Sequence, residues 1–120
     1  MSEDEQFILE IISEHLNVCE KRFSEIKTPE DFVNSEYGNV LLDAIVTRLQ
    51  SIGENLKRLS KQNKFLEQKY PDIEWEKIIK FRDFISHHYE RLDYEIVFDI
   101  GKNDFPKLKE VIQTELKNRI

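Results

Sequence analysis

The sequence predicts an all-α fold, a bundle of four to five helices forming one domain over residues 1–120. Three observations carry that prediction. Only three Gly and three Pro punctuate the chain, too few for the many turns of a β protein. Apolar residues recur at steps of three and four, the period of a helix with one buried face. Residues that start helices stand where those stripes begin. Eight Phe, four Tyr and one Trp supply a core, so the chain folds rather than remaining disordered.

The first helix is expected over about residues 3–26, with Phe7, Ile8, Ile11, Ile12, His15, Leu16, Cys19, Phe23 and Ile26 as its stripe. Thr28-Pro29-Glu30-Asp31 is a helix start: a capping residue, a proline suited to the first turn, and two acids at the positive end of the dipole. Phe32 and Val33 follow as a short helical turn. Ser35-Glu36 opens a second long helix, whose stripe of Val40, Leu41, Ala44, Ile45, Leu49, Ile52, Leu56 and Leu59 runs to about Ser60. Gly53 lies inside it at a cost of about 1 kcal/mol against Ala, and close packing of a neighbouring helix accounts for that.

Residues 61–69 are basic and polar, with Phe65 and Leu66 as a weak anchor. Tyr70-Pro71-Asp72 interrupts the chain, because the residue before proline avoids the helical region. A third main helix is expected from near Ile73 to about Arg91, through Trp75, Ile78, Ile79, Phe81, Phe84 and Ile85. Asp93 caps a turn over residues 94–100, Gly101 ends it, and Asp104-Phe105-Pro106 starts the last helix, with Leu108, Val111, Ile112 and Leu116 facing inward.

The net charge is −6, unevenly spread. Residues 1–54 carry 4 basic and 12 acidic side chains, and residues 55–120 carry 14 and 12. A polyanion would meet the second half, and the overall acidity argues against binding nucleic acid through charge alone. A single cysteine, Cys19, forms no internal disulfide and reads as a buried apolar residue of a reducing compartment. The acidic N-terminus lacks the basic region of a secretory signal, and no apolar run is long enough to cross a bilayer. A cytoplasmic protein is the expectation.

Chemistry concentrates in Arg82-Asp83-Phe84-Ile85-Ser86-His87-His88-Tyr89. A histidine moves protons near neutral pH. An arginine holds a phosphate with paired donors. A tyrosine hydroxyl bonds a substrate or accepts a modification. On a helix, His87 and His88 point about 100° apart and do not easily share a metal. Ser86 beside His87 lacks the elbow of a serine hydrolase.

Arg, four residues, His, any residue, Tyr is the signature of the HEPN superfamily in its HepT (DUF86) branch, and the run from Trp75 to Tyr89 resembles that branch throughout. So do Ile52-Gly53-Glu54, Tyr70-Pro71 before Trp75, Asp93 with Val97-Phe98, and Phe105-Pro106-Lys107-Leu108. The similarity covers about residues 5–116. It implies the toxin of a type VII HEPN/MNT toxin–antitoxin system: a metal-independent endoribonuclease, without a cofactor, acting on tRNA or mRNA as a two-fold homodimer. Its partner would be a minimal nucleotidyltransferase antitoxin that transfers AMP to the motif tyrosine. Arg82 and His87 would be catalytic and Tyr89 the AMP acceptor. Apart from the resemblance, Asp83 and His88 are candidates for substrate contact by their place in the stretch. His88 fills a position often acidic or polar in relatives.

Helical spacing adds a constraint. Tyr89 returns to within about 20° of Arg82, whereas His87 lies about 140° away. An irregular helix, long side chains bending round, or a second copy across a two-fold axis would bring Arg82 and His87 together, and the composite dimer site is preferred. Competing expectations are an inactive helical scaffold that binds a nucleotidyltransferase, an unrelated interaction bundle, and a metal-dependent nuclease. Glu54 approaches the site from the second helix or serves as a solvated or helix-pairing acid.

Overall fold

In the computed structural model the backbone is described for residues 3–88 and 93–119, and side chains for residues 4–83 and 93–119. Among these residues every regular element is helical. Helix α1 spans Glu3–Phe23, a 3-10 turn spans Pro29–Phe32, and α2 spans Glu36–Gln62. A short α3 covers Phe65–Lys69, α4 covers Trp75–His88, α5 covers Tyr94–Asp99 and α6 covers Phe105–Lys117. The four long helices α1, α2, α4 and α6 make the bundle.

The starts follow the sequence. Ser35 caps α2 by accepting from the Gly38 N–H at 2.9 Å, and Asp93 caps α5 by accepting from Glu95 N–H at 2.8 Å. Asp31 reaches back to the N–H groups of Lys27 and Thr28, at 2.8 and 3.0 Å. Those backbone donors hold its carboxyl below the ordinary range.

Helices α1 and α2 run antiparallel, as Asp4 meets Arg58, His15 meets Arg48, and Cys19 donates to the Ile45 carbonyl. The core they share with α4 and α6 includes Ile12, Leu16, Ile45, Leu49, Ile78, Leu108 and Ile112, all essentially inaccessible. Each such side chain contributes roughly 1.5–3 kcal/mol. Burial holds the Cys19 thiol up at about 12, so it is not a nucleophile at neutral pH.

Several expectations are corrected. Phe7 is 56% exposed, and Leu9 is buried instead, because the inward face centres on Ile8, Ile12 and Leu16 and Phe7 lies about 100° off Ile8. Val40 is also 56% exposed; Leu41 and Leu42 occupy the buried face of that turn. The first helix stops at Phe23 rather than Ile26, since Ile26 N–H bonds Phe23 in a turn. Leu66 is more than a weak anchor: it is 2% exposed and pins α3 to the bundle.

Gly101 does not end a helix. It lies in a π-helical turn, Ile100–Asp104, that joins α5 to α6 without a break, with Phe105 N–H donating to Ile100 O. No glycine has a positive φ among the described residues, so the left-handed cap is absent here. Gly101 instead admits the Phe23 ring. A Cβ at this position would stand 2.4 Å from that ring, which packs on Phe32, Phe98 and Phe105. The wider turn also spares Pro106 the clash that a proline causes inside an α-helix.

His15, expected within the apolar stripe, joins a polar cluster at its edge. Its Nδ1 lies 3.1 Å from Arg48 Nη1, and its Nε2 lies 2.9 Å from Ser51 Oγ. A guanidinium only donates, so Nδ1 accepts and the ring is neutral. Burial, then Arg48, lowers its pKa, against a smaller opposing effect of Glu14. A lowered folded pKa stabilises the fold above the unfolded value of about 6.5, and this contribution fades as pH falls through the folded value. Thermal melts of the wild type should lose stability from this group between pH 7 and 5, and His15→Gln should remove that part of the pH dependence. An identical pH profile in the variant would refute the coupling.

Candidate active site

The site forms where α4 crosses α2. Ile78 and Phe81 are buried, at 1% and 6% exposure, and fix the rotation of α4 so that Arg82 meets α2 and Asp83 sits at the edge of the contact. Gly53 permits the approach. A Cβ there would stand 2.4 Å from Arg82 Cβ and 3.2 Å from the Ile78 carbonyl. The glycine expected to pack a neighbouring helix does so, and its neighbour is the arginine of the motif.

Arg82 is 22% exposed and both of its terminal nitrogens hold carboxylates. Nη1 donates to Asp83 Oδ1 at 2.8 Å, and Nη2 donates to Glu54 Oε2. Lys57 Nζ reaches Asp83 Oδ1 at 3.5 Å from the same face of α2. The arrangement alternates in sign, Lys57–Asp83–Arg82–Glu54. Asp83, then Glu54, holds the guanidinium more firmly cationic. Arg82 and, more weakly, Lys57 hold the Asp83 carboxyl below its ordinary range against the opposing effect of burial. Both groups stay ionised at neutral pH, and the guanidinium fork lies in one orientation.

Glu54 is therefore a helix-pairing acid, and its partner is Arg82 itself. Lys57 was not singled out from the sequence; its signal was the three-residue step from Glu54, which places both on one helical face. His87 and His88 lie in the last turn of α4, five and six residues beyond Arg82, with their side chains outside the described residues. Tyr89 also lies outside the described residues. Helix α4 runs unbroken from Trp75 to His88, so a distortion between Arg82 and His87 is not the means of bringing them together. On another side of α4, Phe81 and Ile96 floor an open groove rimmed by Lys77, Lys80, Asp93 and Asp99.

Lys77 ties the start of α4 to the π turn through Asp99 at 2.8 Å and Asp104 at 2.9 Å. Burial opposes its charge, but the two carboxylates outweigh it and raise its pKa. Among the described residues no helix is long and apolar enough to cross a membrane, and no three His, Cys, Asp or Glu side chains gather as a metal site.

A family model described as “Ribonuclease HepT-like” matches residues 9–115. A Methanocaldococcus jannaschii protein named “Gamma-glutamylcyclotransferase and putative RNase” is 32% identical over 112 residues, covering 93% of this chain and 47% of that protein. A “Putative RNase” of Caldanaerobacter subterraneus subsp. tengcongensis is 33% identical over 106 residues, covering 83% of this chain and 89% of its own. A “Probable ribonuclease HepT” of Thermococcus cleftensis is 31% identical over 101 residues, covering 84% and 86%. The chain spans about half the length of the first of these, and 59% of another M. jannaschii protein to which it is 35% identical over 74 residues. No solved structure matches it significantly. With the model covering nearly all of the bundle, Gly53, Glu54 and Arg82 included, this chain belongs to the HepT-like ribonuclease family.

Proposed function

We propose that this chain is a metal-independent endoribonuclease of the HEPN type, with Arg82 and His87 as its catalytic pair. The observation that carries it is the Arg82 fork, presented to two carboxylates over Gly53 in a member of a ribonuclease family. Two carboxylate oxygens on one guanidinium mimic the non-bridging oxygens of a phosphodiester. Glu54 is the more exposed of the two partners, and Asp83 is also held by Lys57. The phosphate displaces Glu54 while Asp83 keeps the fork oriented.

The reaction is a transesterification. His87 takes the proton of a ribose 2′-hydroxyl as the 2′-oxygen bonds to phosphorus. The bond from phosphorus to the 5′-oxygen breaks, and that oxygen receives a proton from a histidinium. Arg82 balances the charge of the phosphorane. The products are a 2′,3′-cyclic phosphate and a 5′-hydroxyl. Arg82→Ala should reduce cleavage by roughly 10²–10³-fold and His87→Ala by roughly 10²–10⁴-fold, with helical content retained. An RNA cleavage assay in chelator reads both, and undiminished cleavage by both variants overturns the assignment.

The unbroken helix also supports a homodimer, since positions 82 and 87 of a straight helix are about 140° apart around its axis. As a type VII toxin, the protein would be silenced by a minimal nucleotidyltransferase antitoxin. The Tyr89 oxygen attacks the α-phosphorus of ATP and pyrophosphate leaves. The added AMP brings negative charge to the motif, which repels RNA as a phosphoryl group would. Intact mass after incubation with that partner and ATP should rise by whole AMP units in the wild type and not in Tyr89→Phe. An equal gain in the variant excludes Tyr89 as the acceptor.

A further inference from the structure

Arg48 differs from the other arginines of α2 and α4 in what holds it. Arg58 and Arg82 meet carboxylates. Arg48 Nη1 instead donates to His15 Nδ1 at 3.1 Å, and among the described residues Arg48 has no carboxylate partner. Glu14, next to His15 on α1, is exposed and forms no ion pair with it. A neutral imidazole orients a guanidinium without cancelling its charge, which a carboxylate cannot do. The result is an uncompensated cation in the acidic half of the chain, where residues 1–54 carry 4 basic and 12 acidic side chains. The same ring fixes a second group. With Nδ1 accepting, Nε2 carries the proton and donates to Ser51 Oγ at 2.9 Å, so the Ser51 hydroxyl keeps its own proton to donate. Arg48 and Ser51 stand three residues apart, neighbours on one side of α2. Asn55, a turn further on, donates to the Ser51 carbonyl at 2.8 Å.

We infer that Arg48 and Ser51, with His15 as their positioning residue, form a binding site for a phosphate group. The guanidinium N–H groups that His15 does not engage and the Ser51 O–H are donors to two oxygens of a tetrahedral anion, and the anion supplies the charge that Arg48 lacks. Its source is a phosphodiester of an RNA strand or a free phosphate group.

The place of the site favours the strand. Helix α1 packs on one side of α2 and α4 on the other. The face of α2 between them bears Thr47, Ser51 and Glu54. Arg48 and His15 stand at its α1 edge, and Glu54 with Arg82 at its α4 edge. From Arg48 to Glu54 is six residues, roughly 9 Å along the helix and about a third of a turn around it. A few nucleotides of single strand span that, with one phosphate on Arg82 and another on Arg48. Thr47 and Ser51, which lie between, are short. This placement rests on the proposed ribonuclease reading for RNA as the source; the phosphate site itself stands on Arg48, Ser51 and His15.

Fluorescence anisotropy with a short 2′-O-methyl RNA, which lacks the hydroxyl that the reaction needs, reads binding alone. Arg48→Gln should weaken binding roughly tenfold and lower the slope of log affinity against log salt by about 0.7, the share of one phosphate contact on a single strand. His15→Gln gives Arg48 another neutral acceptor and should hold binding within about twofold. His15→Glu gives it a charged acceptor and should weaken binding as Arg48→Gln does, with a melting temperature no lower than that of His15→Gln. A merely structural tie between α1 and α2 predicts no such split in RNA binding. In a second arm, inorganic phosphate is added and the Ser51 amide is followed by NMR. A shift that Arg48→Gln abolishes, with RNA binding indifferent to all three changes, assigns the site to a free phosphate group. Indifference of both RNA and phosphate to Arg48→Gln and His15→Glu overturns the proposal. RNA that binds through Arg48 but is not cleaved in its unmethylated form supports it, and the ribonuclease reading alone fails.

Discussion

Gly53→Ala should destabilise the protein by about 1–2 kcal/mol and cut RNA cleavage by on the order of 10²-fold. The sign is the informative part. Inside an ordinary exposed helix this change stabilises, by about 1 kcal/mol. Here the new methyl group would stand 2.4 Å from Arg82 Cβ and 3.2 Å from the Ile78 carbonyl. Neither can retreat, because a Cβ moves only with its helix and the carbonyl belongs to the backbone of α4. Helices α2 and α4 must separate, at the usual overpacking cost of about 1–3 kcal/mol. Separation also carries the Arg82 fork away from its place over α2, and displacements near 1 Å cost about 10²-fold where geometry sets the rate. A thermal melt and a cleavage assay read the two effects; a raised melting temperature would show that the crossing is looser than the structure indicates.

Glu115→Ala should cost about 2–4 kcal/mol, the largest effect expected away from the site. Glu115 is buried, its side chain 5% exposed, and its Oε2 accepts from Tyr70 Oη at 2.6 Å and Lys69 Nζ at 2.8 Å. This ties α3 and the Tyr-Pro turn to α6. Removing a buried carboxylate strands its donors. The loss falls short of the upper figures for buried pairs because Lys69 is half exposed and regains water. Burial alone would raise the Glu115 pKa, but Lys69 and Tyr70 together lower it. A lowered folded pKa contributes stability above the unfolded carboxylate value of about 4.3, and this is lost as pH falls through the folded value. Melts between pH 5 and 3 should fall less steeply for Glu115→Gln than for the wild type. Parallel curves would remove Glu115 from the acid response.

What the sequence made legible was local. Ser35 and Asp93 cap because a short oxygen-bearing side chain meets a free N–H within two or three residues, a relation written in the chain. Gly53 was legible as a packing glycine, because nothing local justified it. Gly101 was misleading for the opposite reason: it is a local punctuation mark, yet the ring of Phe23, far away in sequence, decides what it is for. Phe7 and Val40 joined their stripes by spacing alone and left them because a stripe has edges that only the neighbouring helix defines. At the site, Arg82 stood out by its motif and Glu54 by its neighbourhood. Lys57 did not, since its tie to Asp83 depends on the angle at which α4 crosses α2.

The π turn carries one more consequence, for the chain's tolerance of length changes. Between Ile100 and Asp104 the backbone holds one residue more than an α-helical turn would use. Deleting that residue would restore an ordinary helix and swing everything after it by about 100°. Leu108, Val111 and Ile112 would leave the core together, and Pro106 would be driven against the carbonyl four residues before it. Substitutions here alter one contact at a time, whereas a one-codon loss rephases the whole of α6. The residue count of this short stretch is thus a structural parameter in its own right, and natural variants should differ here in residue type rather than in number.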